Sequence, residues 1–315
     1  MKPLCYHAGQ LAAQAEAGTT RVAQKLADWV GPVPDFARGA DLIVLALPVA
    51  AGELRFVFVS GSAPLLGIAG TPEASDLRFA LPPAVAGADV PMPAVCGGLA
   101  INLGLARRAR VNGTLRRGVA GPELLVTEAF TLCRKYMAPS VALEPAPRVG
   151  PGLREPLALD DPWLADLLAR AETSFLGSIS PAGMPDVAHR GGEPGFLRYD
   201  PPARRLAWTE FVGDGVFKSA GNVRATGSMS LVVPDLGTGD GAMLSGRAEY
   251  ATDAGERAQR EDALVQHREA FPPQGTMTCT IARAERLRGL MHPRERIARA
   301  PRVTCRSTVP EQKPR

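Results

Sequence analysis

Lysine is nearly missing from this chain. It occurs at positions 2, 25, 135, 218 and 313, while Lys and Arg together number 36. Aromatic residues are equally sparse, at 5% of 315 residues. A net charge of +4 carried by scattered arginines, with few rings between them, excludes the basic stripe with stacking aromatics that binds nucleic acid. Cysteine is limited to Cys5, Cys96, Cys133, Cys279 and Cys305, an odd set with no CxxC pair. This excludes a zinc ribbon or a dithiol redox motif, so no metal site is expected. Reduced thiols suit a cytoplasmic chain. No run of about 18 apolar residues is present, so no membrane span is expected. The opening MKPLCYHAGQ lacks the apolar stretch of a secretory signal. Dinucleotide, P-loop, nucleophile-elbow and zincin motifs are all absent.

What the chain has instead is punctuation, with 33 glycines and 29 prolines. That density favours short strands and turns over long helices. The length suggests two domains by the usual prior of about 100–200 residues each. Residues 1–40 read as a helical segment, broken near Gly18. A hairpin signal follows at 41–48 and 53–61, with further strands at 76–81, 98–102, 107–117 and 123–130. Residues 82–95 read as loop. Residues 142–156, rich in Pro and Gly, read as a linker. Asp161 and Pro162 then mark a helix start before WLADLLARAE. A second run of strands covers 174–180, 184–190, 195–200, 204–211, 229–235, 242–252 and 276–290. Helices are expected at 216–224 and 255–270, and a loose tail at 301–315. The fold class is therefore mainly β (α+β): two small β-barrels or sandwiches, the first at 41–141 and the second at 157–300, with peripheral helices.

From residue 175 a specific pattern emerges. FLGSISPAGMPDVAHRGGEPGFLRYD, RRLAWTEFVGDGVFKSAGNVRATGSMSLVVPD and AMLSGRAEY resemble the pyridoxamine 5′-phosphate oxidase-related proteins of the FMN-binding split-barrel superfamily. The two-domain branch with a His-Arg-Gly-Gly turn, here His189–Gly192, is the nearest likeness. RVNG at 110–113 and CRKY at 133–136 resemble its first half, with Arg134 where that branch carries Pro. The resemblance implies tandem FMN-binding-type split barrels. It implies a flavoprotein oxidoreductase passing hydride or electrons to a small molecule, with reduced nicotinamide as a candidate donor. It further implies a homodimer or an intrachain pairing of barrels. Haem binding or breakdown, and a non-catalytic small-molecule or assembly module, are the alternatives on the same fold.

A flavin mononucleotide needs partners for its phosphate, hydrogen bonds to its ring edge and an apolar wall. Lys218, Ser219 and Arg190 are the phosphate candidates, joined by free N–H groups near Phe217 at a helix start. Gly191 belongs to the same turn. His189 is the catalytic candidate, as ring partner or proton donor, against a structural histidine bonding a carbonyl. Trp208 is a ring wall or, more commonly, core. Asn222 is a cofactor contact or a helix cap. In the first half, Arg110, Asn112, Lys135 and Tyr136 are the polar candidates; Lys135 beside Tyr136 lines a cleft between domains or makes an interdomain salt bridge and hydrogen bond. Cys133 is a reactive thiol or a small buried hydrophobe. His7 beside Cys5 is a weak metal pair, and His267 and His292 read as surface residues.

Overall fold

The computed structural model describes residues 5–27, 32–50, 52–62, 64–69, 77–87, 90–211, 213–252 and 273–297. Helices α1 (Ala8–Glu16), α2 (Thr20–Ala27) and α3 (Val33–Arg38) come first. Strands β1 (Leu42–Ala50), β2 (Glu53–Ser60), β3 (Gly67–Ile68), β4 (Arg78–Ala80), β5 (Ala94–Asn102), β6 (Arg107–Arg117) and β7 (Pro122–Thr131) follow. Next are β8 (Ser140–Ala142), β9 (Arg148–Gly150) and β10 (Leu153–Leu157). The first sheet is antiparallel, in the order β3-β4-β7-β6-β5-β1-β2-β9.

The second half contains α4 (Pro162–Arg170), β11 (Thr173–Ile179), β12 (Pro185–Gly191), β13 (Arg198–Asp200), β14 (Arg205–Phe211), α5 (Lys218–Thr226), β15 (Ser228–Pro234), β16 (Gly241–Ala251), β17 (Pro273–Arg288) and β18 (Arg294–Arg296). Its sheet runs β12-β11-β15-β16-β17-β14-β13, and β10 also pairs with β17. The Asp161 side chain caps α4 through Trp163 N at 2.8 Å, with Pro162 in the first turn, as the sequence indicates.

Strand β1 shows why the two sheets belong together. Its run LIVLALPVA is apolar at consecutive positions, which a one-sided strand does not need. Ile43, Leu45 and Leu47 enter the first barrel's core. Leu42, Val44 and Ala46 point the other way, into a core shared with Phe175, Val187 and Val232 of the second sheet. Phe58 and Phe175 meet edge to face across this seam, 5.3 Å apart. Each such fully buried large side chain contributes roughly 1.5–3 kcal/mol. A third core, around Trp208, Leu231 and Leu244, fills the second barrel.

The expectation of a linker at 142–156 is corrected by these strands. β9 pairs with β2 of the first sheet and β10 with β17 of the second. The stretch therefore stitches the barrels, and its backbone groups enter both ladders. The strand expected at 195–200 is shortened to β13, and the loop at 82–95 gives way to β5 at Ala94. The helix expected at 255–270, His267 and the tail at 301–315 lie outside the described residues.

The helical segment also divides between the halves. α3 packs on β5, β6 and β7, whereas α1 packs on α5 of the second barrel. Gly221 makes that second contact, because a Cβ there would stand 2.5 Å from the Gln10 Cα. On helix propensity alone Gly221→Ala gains up to about 1 kcal/mol. We expect the opposite sign, a loss of about 1–3 kcal/mol by overpacking. Urea unfolding measures it, and a more stable variant would contradict the contact.

Candidate functional site

At one end of the seam the barrels leave a cleft. The first barrel's side brings Arg108, Arg110, Leu132, Cys133 and Tyr136, and the second brings His189, Arg190, Trp208, Glu210, Phe211 and Phe217, among others. Its cavity is about 100 Å³. Pockets that enclose a whole small-molecule ligand run to roughly 300–1,000 Å³, so this one has room only for the edge of such a molecule.

Tyr136 and Phe211 stack across the cleft, with centroids 5.8 Å apart and planes 29° from parallel. Tyr136 and Phe217 both hold left-handed backbones, at φ 59° and 53°. For residues with a Cβ this conformation costs of order 1–3 kcal/mol, and such strain gathers at binding sites. Burial pushes the Tyr136 hydroxyl well above its ordinary range, with Cys133 and Glu210 adding to it.

His189 is 5% exposed. Its Nδ1 lies 2.6 Å from an Arg108 guanidinium nitrogen. Arginine only donates, so Nδ1 accepts and the proton of the neutral ring sits on Nε2. That Nε2 is buried and has no hydrogen-bond partner among the described residues. Burial, then the charges of Arg108 and Arg190, hold the imidazole well below its ordinary pKa. We expect no titration of His189 near pH 6.5 and a ¹⁵N pattern of the Nε2–H tautomer. Protonation at that pH, seen by NMR, would contradict the environment described.

Arg108 is the residue that sequence reasoning missed. It is 6% exposed, and its remaining bonds go to the Cys133 carbonyl at 2.8 Å, the Cys133 thiol at 3.3 Å and the Lys135 carbonyl at 3.3 Å. Among the described residues it has no carboxylate within ion-pair distance. It stands two residues before Arg110 on β6, so both share a strand face. Two arginines in that register on a buried strand were the available signal.

Three of the other candidate cations are matched to carboxylates. Arg110 donates to both Asp186 oxygens, at 2.6 and 2.7 Å. Asn112 donates to Asp186 at 3.0 Å, and the Ser219 hydroxyl lies 3.5 Å from it. Burial pushes the Asp186 carboxyl up, but Arg110, Lys218 and these hydrogen bonds outweigh it and leave it below its ordinary value. Lys218 bonds Glu128 of β7 at 2.7 Å. Arg190 bonds Glu210 at 2.6 Å, and Glu210 also accepts from the Trp208 indole at 2.8 Å.

Eight of the sequence candidates thus meet at the cleft: His189, Arg190, Gly191, Trp208, Phe217, Arg110, Cys133 and Tyr136. Lys218, Ser219, Asn222, Asn112 and Lys135 are not among its lining residues. Trp208 is 1% exposed and serves both as core and as cleft floor. Asn222 neither caps a helix nor faces the cleft. Its oxygen accepts from His7 at 2.8 Å and Gln10 at 3.0 Å, and its amide donates to Ser178 at 3.0 Å. His7 is thereby corrected from a terminal metal candidate to the N-cap of α1. Gly191 is fixed by space, since a Cβ there would stand 2.1 Å from the Tyr136 carbonyl oxygen. His292 is buried rather than on the surface, bonding the Ala146 carbonyl at 2.7 Å. No group of three metal-binding side chains occurs among the described residues, and none of their helices is long and apolar enough to cross a membrane.

The two curled antiparallel sheets and their common seam make this a tandem split-barrel protein, mainly β with peripheral helices, as expected. No protein-family model matches the chain, and no curated protein does. Solved structures do. HupZ of Group A Streptococcus is 18% identical and covers 40% of this chain and 98% of its own, with a TM-score of 0.33. A FAD-binding protein from Mesorhizobium loti is 18% identical over 42% of this chain and 96% of its own, with a TM-score of 0.31. A protein related to general stress protein 26, of the pyridoxinephosphate oxidase family, from Clostridium acetobutylicum is 14% identical and covers 42% of this chain and 91% of its own, with a TM-score of 0.28.

The phosphate of FMN does not fit the residues assigned to it. Lys218 and Arg190 each already hold a carboxylate, and Ser219 faces Asp186. Turning either cation to a phosphate would leave its carboxylate without a cation partner in a partly buried place.

Proposed function

We propose that this chain is a flavin-binding split-barrel protein whose His189 cleft holds the edge of a planar, acceptor-bearing ring. The observation that carries this reading is the buried, unpartnered Nε2–H of His189. An unsatisfied buried donor costs roughly 1–3 kcal/mol, which an acceptor on a ligand recovers. The nitrogen and carbonyl edge of an isoalloxazine supplies such acceptors. The strained Tyr136 and Phe217 and the Tyr136–Phe211 stack suit a flat aromatic partner. Arg108 adds a fixed positive charge beside the donor, the kind of group that tunes a flavin. Hydride or electron transfer to a small molecule is the chemistry such a ring supplies.

The same hydrogen bonds bear on the haem alternative. Axial ligation by His189 Nε2 needs a lone pair there, and Arg108 holds the ring in the other tautomer. His7 uses both ring nitrogens, toward Asn222 and Gly9, and His292 donates Nε2 to Ala146. These bonds favour a flavin. The absorbance spectrum of the purified protein tests the proposal. Flavin bands on isolation, or thermal stabilisation on adding flavin, are expected. A colourless protein that flavin does not stabilise, or a Soret band on haem addition lost in His189→Ala, would overturn it.

A further inference from the structure

We infer that the cleft selects its ligand by the ring and does not grip a phosphate, so it takes riboflavin-class compounds at least as well as FMN. This rests on the flavin reading above. The charges around the seam explain the selection. Asp186, 1% exposed, is an internal anion gathered in by Arg110, Asn112 and Ser219. It meets the first turn of α5, where a ligand's phosphate would otherwise find a hydroxyl and a lysine. Lys218 is turned away to Glu128, with its side chain 11% exposed. A phosphate brought there would displace one of these carboxylates or lie against it.

Arg108 does not restore a clamp. Four of its five N–H groups are spent on Cys133, Lys135 and His189. The one that remains sits at the His189 end, where the ring edge goes. Glu210 and Asp214 set two carboxylates against the three arginines of the cleft lining, Arg108, Arg110 and Arg190. With a cavity of about 100 Å³, a ligand's tail is left toward the solvent.

The test titrates the full chain with riboflavin and with FMN, following flavin fluorescence, at low and high salt. Affinities within about threefold, and little changed between about 50 and 500 mM salt, are expected. FMN binding at least about tenfold tighter, by a margin that salt erodes, would overturn the inference and leave the flavin reading standing. Binding of neither compound would overturn both. Lys218→Met gives an independent measure. It is expected to leave the FMN-to-riboflavin ratio unchanged, and a selective loss of FMN would overturn the inference. If that variant fails to fold, the wild-type ratio still decides.

Discussion

Asp186→Ala is expected to cost about 3–5 kcal/mol, the usual effect of stranding one member of a buried ion pair. Arg110 is 4% exposed, and its cation would face the seam with no carboxylate near it. Asn112 would lose the acceptor for its amide, while its oxygen still takes the Gly98 N–H at 2.9 Å. For a chain of this size, thermal unfolding should fall by roughly 5–8 °C. Replacing both partners, as Arg110→Met with Asp186→Leu, should recover much of the loss, because two desolvated charges are removed together. The pH dependence has a definite sign. Asp186 sits below its ordinary value when folded, so its stabilisation is complete above the unfolded pKa of about 4. It is lost as pH falls through the lower folded value. The variant should therefore lack that part of the wild type's acid sensitivity. A variant as stable as wild type at pH 7 would show that the pair does not hold the seam.

This ion pair also marks how far the sequence could be read. The apolar run of β1 signalled a hairpin strand, but not that both of its faces are buried; the seam is where the second face goes. Asp161 with Pro162 announced α4 for local reasons that tertiary packing did not disturb. The cleft was legible in part, since the His-Arg-Gly-Gly turn and the strand containing Arg110 do meet there. What the sequence concealed was pairing. Lys218 looks like a free cation until Glu128, 90 residues earlier, is brought to 2.7 Å from it. Asp186 attracted no notice in MPDVAHR, because nothing local says that a strand from the other barrel carries its arginine. Gly191 reads as a contact in a motif, but the Tyr136 carbonyl that excludes a side chain there comes from a distant segment. Charge partners and close approaches are long-range facts, whereas caps and periodicities are local ones.

Arg108→Met should uncouple the cleft from its organising cation. Three effects follow from its bonds. The carbonyls of Cys133 and Lys135 lose their donor, at a cost of about 1–3 kcal/mol. His189 loses the group that fixes its tautomer, so its Nε2 no longer presents a proton in every molecule. Its pKa rises as well: burial still holds it down, but the second cause of the depression, the Arg108 charge, is gone. In the wild type the depressed value makes stability complete above about pH 6.5 and progressively lost below it, because the unfolded chain takes up a proton that the folded chain refuses. The variant should lose less stability over that range. Flavin affinity should fall about tenfold, the worth of one hydrogen bond no longer held in place. Arg108→Lys separates charge from geometry. It keeps a cation and so much of the pKa depression, but it lacks the planar fork that reaches two carbonyls, a thiol and an imidazole together. If the lysine variant keeps His189 neutral yet binds flavin as weakly as the methionine variant, the fork organises the site. If both variants bind as wild type does, Arg108 is a structural strut and His189 presents its proton without help.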